Sequence, residues 1–455
     1  MLDTGPRRPA LQPIPRPAPR PAPPPRPSER ERDGRKGWAG RIADATPAGR
    51  DRAIDALRAF AILGVVLGHW LVTAFVATGN GAAGDGDLRV TSPLAAMPEF
   101  TPISWVLQTL AVFFLVGGYT AAKGLRPGEP WAARLRHRLA RLGRPVPVLL
   151  LAWIPAAAGL WWAGFSGDGL FTLVKLVLSP LWFLGVYAAL TALTPVVAAV
   201  WNRLGLWGAA LLVGATAAID LGRFALDAPG WIGWATVLTG WLVPFYLGFA
   251  WANGALARRR AAAGLLAGGA AATAGLVLFA GYPASMVGVP GAAVSNLNPP
   301  TLAAVAFGLA QTGLALLLYR PLGRWMRRPR AWAAVAVANL SAMTVFLWHQ
   351  TAMMAITVGT FLAAGSLPGL HSAPDRPEWL LERLPWLPVF ALALLALAGL
   401  VRRFERPAAR RASGTRGENG RPVPTRTPSR TSQQEGSLRN TQDDHLMLGS
   451  TGLTR

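Results

Sequence analysis

Two ionisable side chains stand in one apolar stretch, DALRAFAILGVVLGHWLVTAF from Asp55 to Phe75: Arg58 near its start and His69 past its middle. They are eleven residues apart, which on a helix is three turns plus roughly 20°, with a rise of roughly 16 Å, so they share one face at two depths. A neutral imidazole, with an ordinary pKa of about 6.5, takes a proton from an attacking hydroxyl or attacks a carbonyl itself. At the centre of a membrane helix a charged residue costs about 2.5 to 3.5 kcal/mol on insertion scales, so polar groups kept there face a cavity or the bundle interior. Arg58, close to the helix end, can snorkel and pair with Asp55, three residues earlier. His69 cannot. The structural alternatives are a topology anchor for Arg58 and a hydrogen-bonded interior histidine for His69.

The elements that must position these groups follow from hydropathy. The chain has 455 residues, 52% hydrophobic, 15% charged and without cysteine, and the apolar residues are bunched into blocks of membrane-spanning length. This predicts an all-α polytopic membrane protein with about ten transmembrane helices, near 53–77, 102–122, 145–164, 180–201, 205–222, 231–252, 261–282, 300–319, 333–362 and 386–401. The segment from Phe171 to Ser179, containing Lys175, is too short to span by itself and is expected at the outer interface. Residues 1–50, with PRPAPRPAPPPRP, and 406–455 carry too little apolar surface to fold and read as disordered tails flanking a membrane domain over 51–405.

Basic residues fall in alternate connections. Arg134, Arg136, Arg138, Arg141 and Arg144 crowd one, whereas Glu99, Asp168, Asp220 and Asp375 lie in the connections between. By the positive-inside rule both termini are cytoplasmic, and the net charge of +23 encodes orientation rather than nucleic-acid binding. Without cysteine, chemistry must come from histidines, carboxylates and hydroxyls; five scattered histidines with no spaced carboxylate argue against a metal.

Several segments together resemble the acyltransferase 3 family of integral membrane O-acyltransferases: IDALRAFAILGVVLGHW, with its arginine, ten residues and histidine; FFLVGGY from Phe113 to Tyr119; RLRHRLARLGRP; PLWFLGVY from Pro180; and FLWHQ from Phe346. The resemblance covers residues 50 to 405. It implies a multi-pass protein of the plasma membrane, acting at the cell envelope, that moves an acyl group, acetyl above all, from acyl-CoA to a hydroxyl of a carbohydrate, envelope glycan or small molecule. It implies catalysis by His69, as general base or as nucleophile, with Arg58. Arg138, Arg141 and Arg144, spaced R-x-x-R, would grip CoA phosphates, and Tyr119, Trp182 and His349 are candidates for the substrate cavity, with an interfacial belt the alternative for Trp182 and a satisfied bundle histidine the alternative for His349. The partners would be membrane lipid, acyl-CoA and the hydroxyl acceptor.

The partner that fixes the His69 tautomer is open. Asp55 is about 21 Å away by helix rise, leaving Asp168, Glu99, or a tyrosine or carbonyl of another helix. Gly117 and Gly118 read as a close helix crossing. His137 and His371 read as solvated, Arg383 as an outer-loop charge. The rival function is a transporter or flippase, whose path buried Arg and His would line.

Overall fold

The computed structural model describes residues 37–78, 87–125, 128 and 130–405. The expected C-terminal tail and residues 1–36 lie outside them. The extended chain expected through residue 50 is corrected at its end: Trp38–Asp44 is a helix, α1. Ile42 and Ala43 pack beside Trp332, whose indole donates to Thr46 Oγ1 at 2.7 Å.

Asp51 starts the long helix α2, Arg52–Val72, by accepting the backbone N–H groups of Ala53 and Ile54, two of the four donors that a helix start leaves unpaired. After α2 the chain forms a hairpin, β1 Ala74–Thr78 and β2 Asp87–Thr91, antiparallel with Phe75 opposite Val90. A short turn, α3 Pro93–Ala96, leads to a broken helix, α4 Thr101–Leu107 and α5 Leu110–Lys123. The break is accommodated by two glycines of α2. A Cβ on Gly64 would lie 2.6 Å from Thr109 Oγ1 and one on Gly68 3.4 Å from Leu107 Cβ, so α2 can pass close to the interrupted backbone.

Then come α6 Trp131–Gly143, α7 Pro145–Trp162, α8 Gly167–Ala192, α9 Thr194–Leu204, α10 Trp207–Ala225 and α11 Thr236–Ala252. Helices α12 Arg259–Phe279, α13 Leu302–Trp325, α14 Pro329–Leu340, α15 Ala342–Ala364, α16 Glu378–Arg383 and α17 Trp386–Glu405 complete the described residues. Ten spans among the described residues are long and apolar enough to cross a membrane. Several boundaries differ from the sequence reading: the block at 53–77 ends as a helix at Val72 and turns into β1, and the block at 102–122 breaks between Leu107 and Leu110. The arginine run is itself helical, continuing almost directly into α7. The helix placed at 180–201 is two: α8 starts at Gly167, where Ser166 accepts the Gly169 N–H, and runs through Pro180 to Ala192, so the Lys175 segment belongs to a span. The block at 333–362 breaks at Ser341.

The crossing expected at Gly117 and Gly118 is present. A Cβ on Gly118 would run into the Phe245 carbonyl of α11, and one on Gly248 into the Leu115 carbonyl of α5. Backbones approach this closely only where side chains are absent, and in lipid such packing replaces the hydrophobic drive between helices. Phe114, Phe183 and Trp241 fill the space beside the crossing, with Phe114 5.0 Å from Phe183 and 5.2 Å from Trp241 between ring centroids.

Candidate active site

His69, in the last turn of α2, meets His349 of α15, with its Nδ1 2.7 Å from His349 Nε2. The rings are 9° from parallel with centroids 4.9 Å apart; since the nitrogens are much closer than the centroids, the rings meet through their edges. His349 Nδ1 lies 2.6 Å from the Phe346 carbonyl, which can only accept, so that nitrogen carries the hydrogen. A charge on His349, fully buried and with no carboxylate among its described contacts, would go uncompensated. Its neutral ring therefore accepts at Nε2, His69 donates from Nδ1, and the lone pair of His69 sits on Nε2. That nitrogen is on the ring edge away from His349, and His69, unlike His349, lines a cavity.

The cavity measures about 300 Å³. Its walls are Val65 and Gly68 of α2, Leu107 and Gln108 at the α4–α5 break, Pro180, Trp182 and Phe183 of α8, Phe346 and Gln350 of α15, and the hairpin at Val90 and Thr91. Val287, Ser295 and Asn298, from the segment between α12 and α13, close it. That covering segment is pinned at several points. Asp220 of α10 accepts from Tyr282 OH (3.1 Å) and the Leu302 N–H (2.6 Å), and Asn296 donates to the carbonyls of Pro283 and Ser285. Burial and the adjacent Asp220 carboxylate push the Tyr282 phenol well above its usual range, so it stays a donor.

Two further groups fix the register of the histidine pair. The Trp70 indole donates to the His349 carbonyl at 3.0 Å. Arg383, fully buried and so no solvated loop charge, donates to the carbonyls of Trp70 (2.9 Å), Thr73 (3.0 Å) and Gly369 (2.9 Å). These include carbonyls at the end of α2, where the helix leaves acceptors unpaired and its dipole favours a cation. The guanidinium also lies over Phe390, 4.8 Å from the ring centroid. His371 is a second correction: it is buried rather than solvated, with its Nε2 donating to the Thr357 carbonyl and its Nδ1 accepting the Leu367 N–H.

The remaining expected residues are distributed as follows. Trp182 lines the cavity, and His349 backs it through His69. Tyr119 does not line it: nine residues along α5 from Leu110, about 14 Å by rise, it donates to Asp51 Oδ2 at the other end of the bundle, beside Tyr319. Arg58 is at that same end, 3.5 Å from Asp55, which also holds Arg50 at 2.5 Å. Arg138 is half-buried against the end of α5 at Gly124, while Arg141 and Arg144 are exposed. Asp168 and Glu99 are exposed and neither touches His69; the tautomer partner is His349. Among the described residues no cluster of potential metal ligands occurs.

A second, apolar cavity of about 800 Å³ lies nearer the Arg58 end, lined by Leu57, Phe60 and Ala61 of α2 and by Leu314 and Leu318 of α13. Thr109, whose hydroxyl donates to the Ala61 carbonyl at 2.6 Å, is in its wall, next in sequence to Gln108 of the His69 cavity.

A family model described as an acyltransferase domain matches residues 51–402. The chain belongs to the acyltransferase 3 family. No curated protein and no solved structure matches it. As a member of the acyltransferase 3 family with ten apolar spans, it is a multi-pass membrane acyltransferase, which sets the transporter reading aside. Sequence reasoning missed Gln108, Gln350, Arg383 and the covering segment. Gln350 does follow His349 directly in LWHQ, and a polar pair inside an apolar block was the available signal.

Proposed function

We propose that this protein transfers an acyl group, acetyl above all, from acyl-CoA to a hydroxyl of a carbohydrate, envelope glycan or small molecule at the plasma membrane, with His69 as general base. The observation that carries this reading is the histidine pair, because His349 leaves His69 Nε2 with a lone pair at a cavity wall. The acceptor oxygen attacks the thioester carbon while His69 Nε2 takes its proton. The tetrahedral intermediate then collapses, the C–S bond breaks, and the proton passes from the imidazolium to the departing thiolate. Among the described residues no charged side chain lines the cavity, so a neutral base suits a reaction that begins and ends without charge on the acceptor.

In this reading both termini and helix α6 face the cytoplasm, as the distribution of basic residues favours. Arg138, Arg141 and Arg144 hold the CoA phosphates there, and Arg58 steadies the donor near its point of arrival. The pantetheine arm then covers the depth between Arg58 and His69. The deciding experiment is transfer from radiolabelled acetyl-CoA by the full chain in nanodiscs to a panel of glycans and small alcohols. His69→Ala is expected to lower turnover by about 10²- to 10⁴-fold while CoA binding persists. A well-folded His69→Ala protein turning over at the wild-type rate would refute the assignment. The triple Arg138→Ala, Arg141→Ala, Arg144→Ala variant is expected to bind CoA weakly and with a reduced salt dependence; unchanged affinity leaves those arginines with orientation alone.

A further inference from the structure

Two polar side chains of the His69 cavity have no role in the chemistry above. Gln108, at the α4–α5 break, and Gln350, the residue after His349, are 5% and 1% exposed, and both line the cavity. The side-chain carbonyl oxygen of each is buried without a hydrogen-bond partner. Buried amide oxygens are nearly always paired, and an unpaired one carries a desolvation penalty that an arriving donor removes. They come from two separate elements, and each adjoins a part of the catalytic assembly: Leu107, beside Gln108, packs on Gly68 of α2, and Gln350 follows His349.

The cavity also limits what can enter. Among the described residues its lining has no Asp, Glu, Lys or Arg, so those walls offer a charged ligand no counter-charge. A cavity of about 300 Å³ is at the small end of the range of small-molecule sites and has room for a group the size of one six-membered ring. The remaining walls are mostly apolar, including Trp182, Phe183, Leu297 and Phe346. A hydroxyl is the neutral group that best matches a glutamine amide, since it donates to the carbonyl oxygen and accepts from the NH₂ group.

We propose that Gln108 and Gln350 form an acceptor subsite that binds a hydroxyl neighbouring the reacting one, so that the enzyme selects vicinal diols over simple alcohols. This rests on the acyl-transfer reading above. The reacting hydroxyl faces His69 Nε2 and keeps its proton transfer there; the neighbouring hydroxyl is held by the amides and undergoes no bond change. A site built around such a contact rejects a substrate lacking it far more strongly than an apolar pocket rejects a missing methylene.

The test uses the full chain in nanodiscs with radiolabelled acetyl-CoA and three acceptors of one ring size: cis-cyclohexane-1,2-diol, cyclohexanol and 2-methoxycyclohexanol. Wild type is expected to favour the diol over cyclohexanol in kcat/KM by at least about tenfold, well above the twofold that two equivalent hydroxyls give by statistics. The methyl ether, which lacks the second O–H donor, should fall to the cyclohexanol level. Gln108→Met and Gln350→Met should each bring the diol preference toward the statistical value. A wild-type preference near twofold overturns the subsite, as does a methyl ether equal to the diol, and both readouts stand even if the variants fail to fold. An unchanged preference in both variants, eluting like wild type, also overturns it. His69-dependent hydrolysis of acetyl-CoA with no transfer to any of the three alcohols rejects the subsite and leaves the reaction; absence of any His69-dependent turnover rejects the reaction itself.

Discussion

Replacing His349 by methionine tests whether the histidine pair sets the reactive nitrogen. In the native arrangement His69 Nδ1–H donates to His349 Nε2 at 2.7 Å, and methionine offers similar volume with only a weak acceptor. The Nδ1–H would then be left unpaired on the side of the ring that faces a fully buried residue, at about 1 to 3 kcal/mol. The ring escapes that penalty by moving its proton to Nε2, which removes the lone pair the acceptor hydroxyl needs. At 1.4 kcal/mol per factor of ten, the reactive tautomer is depleted about 5- to 140-fold. The expected result is a loss of that size in kcat with the KM for acetyl-CoA unchanged. His349→Gln, whose side-chain carbonyl can accept the same hydrogen bond, should recover much of it. The assay is steady-state transfer in nanodiscs with thermal unfolding of each variant recorded alongside. A folded His349→Met protein within about threefold of wild type would refute the tautomer argument, because no other described contact of His69 Nδ1 can replace His349.

Three further outcomes are expected. Gly118→Ala places a methyl group against the Phe245 carbonyl, and since backbone cannot yield as a side chain does, the variant should lose folded yield or show an unfolding midpoint lowered by at least the equivalent of about 1 to 3 kcal/mol; an unchanged midpoint would contradict the observed crossing. Arg383→Lys keeps the charge but loses the fork that reaches the Trp70, Thr73 and Gly369 carbonyls together, so kcat should fall about tenfold or more as the end of α2 loosens, with donor binding retained, and equal loss in binding and turnover would point to general misfolding. His371 lies between α15 and α16, and burial, with a smaller contribution from Arg383, holds its imidazole below the usual 6.5 against the opposing hydrogen bond to the Thr357 carbonyl. The unfolded chain therefore binds a proton that the folded chain refuses, so this contribution to stability is complete above about pH 6.5 and is lost as pH falls below it. The midpoint should drop between pH 7 and pH 5 in wild type and drop less in His371→Gln, and equal slopes would show that His371 is not a source of the acid sensitivity.

The sequence by itself determined the class of the molecule, because a bilayer admits few alternatives to helices about twenty residues long, and ten apolar blocks state that requirement locally. It also determined that Arg58 and His69 share a face at different depths, which follows from helix geometry alone, and that Gly117 and Gly118 mark a close crossing. What lies opposite a given face is not local. The pairing of His69 with His349 joins residues 280 positions apart, and no periodicity within either helix encodes it; the sequence showed two intramembrane histidines without showing that one orients the other. Arg383 resembled any loop arginine until tertiary packing surrounded it with carbonyls left over by the end of α2. The family-like segment FFLVGGY suggested Tyr119 as a cavity residue, yet the rise of α5 carries it to the Asp51 end. His371 read as solvated, and Gln350 passed unnoticed, for the same reason: hydropathy measures what a segment tolerates on average, whereas burial, hydrogen-bond partners and access to a cavity are fixed only when distant segments meet.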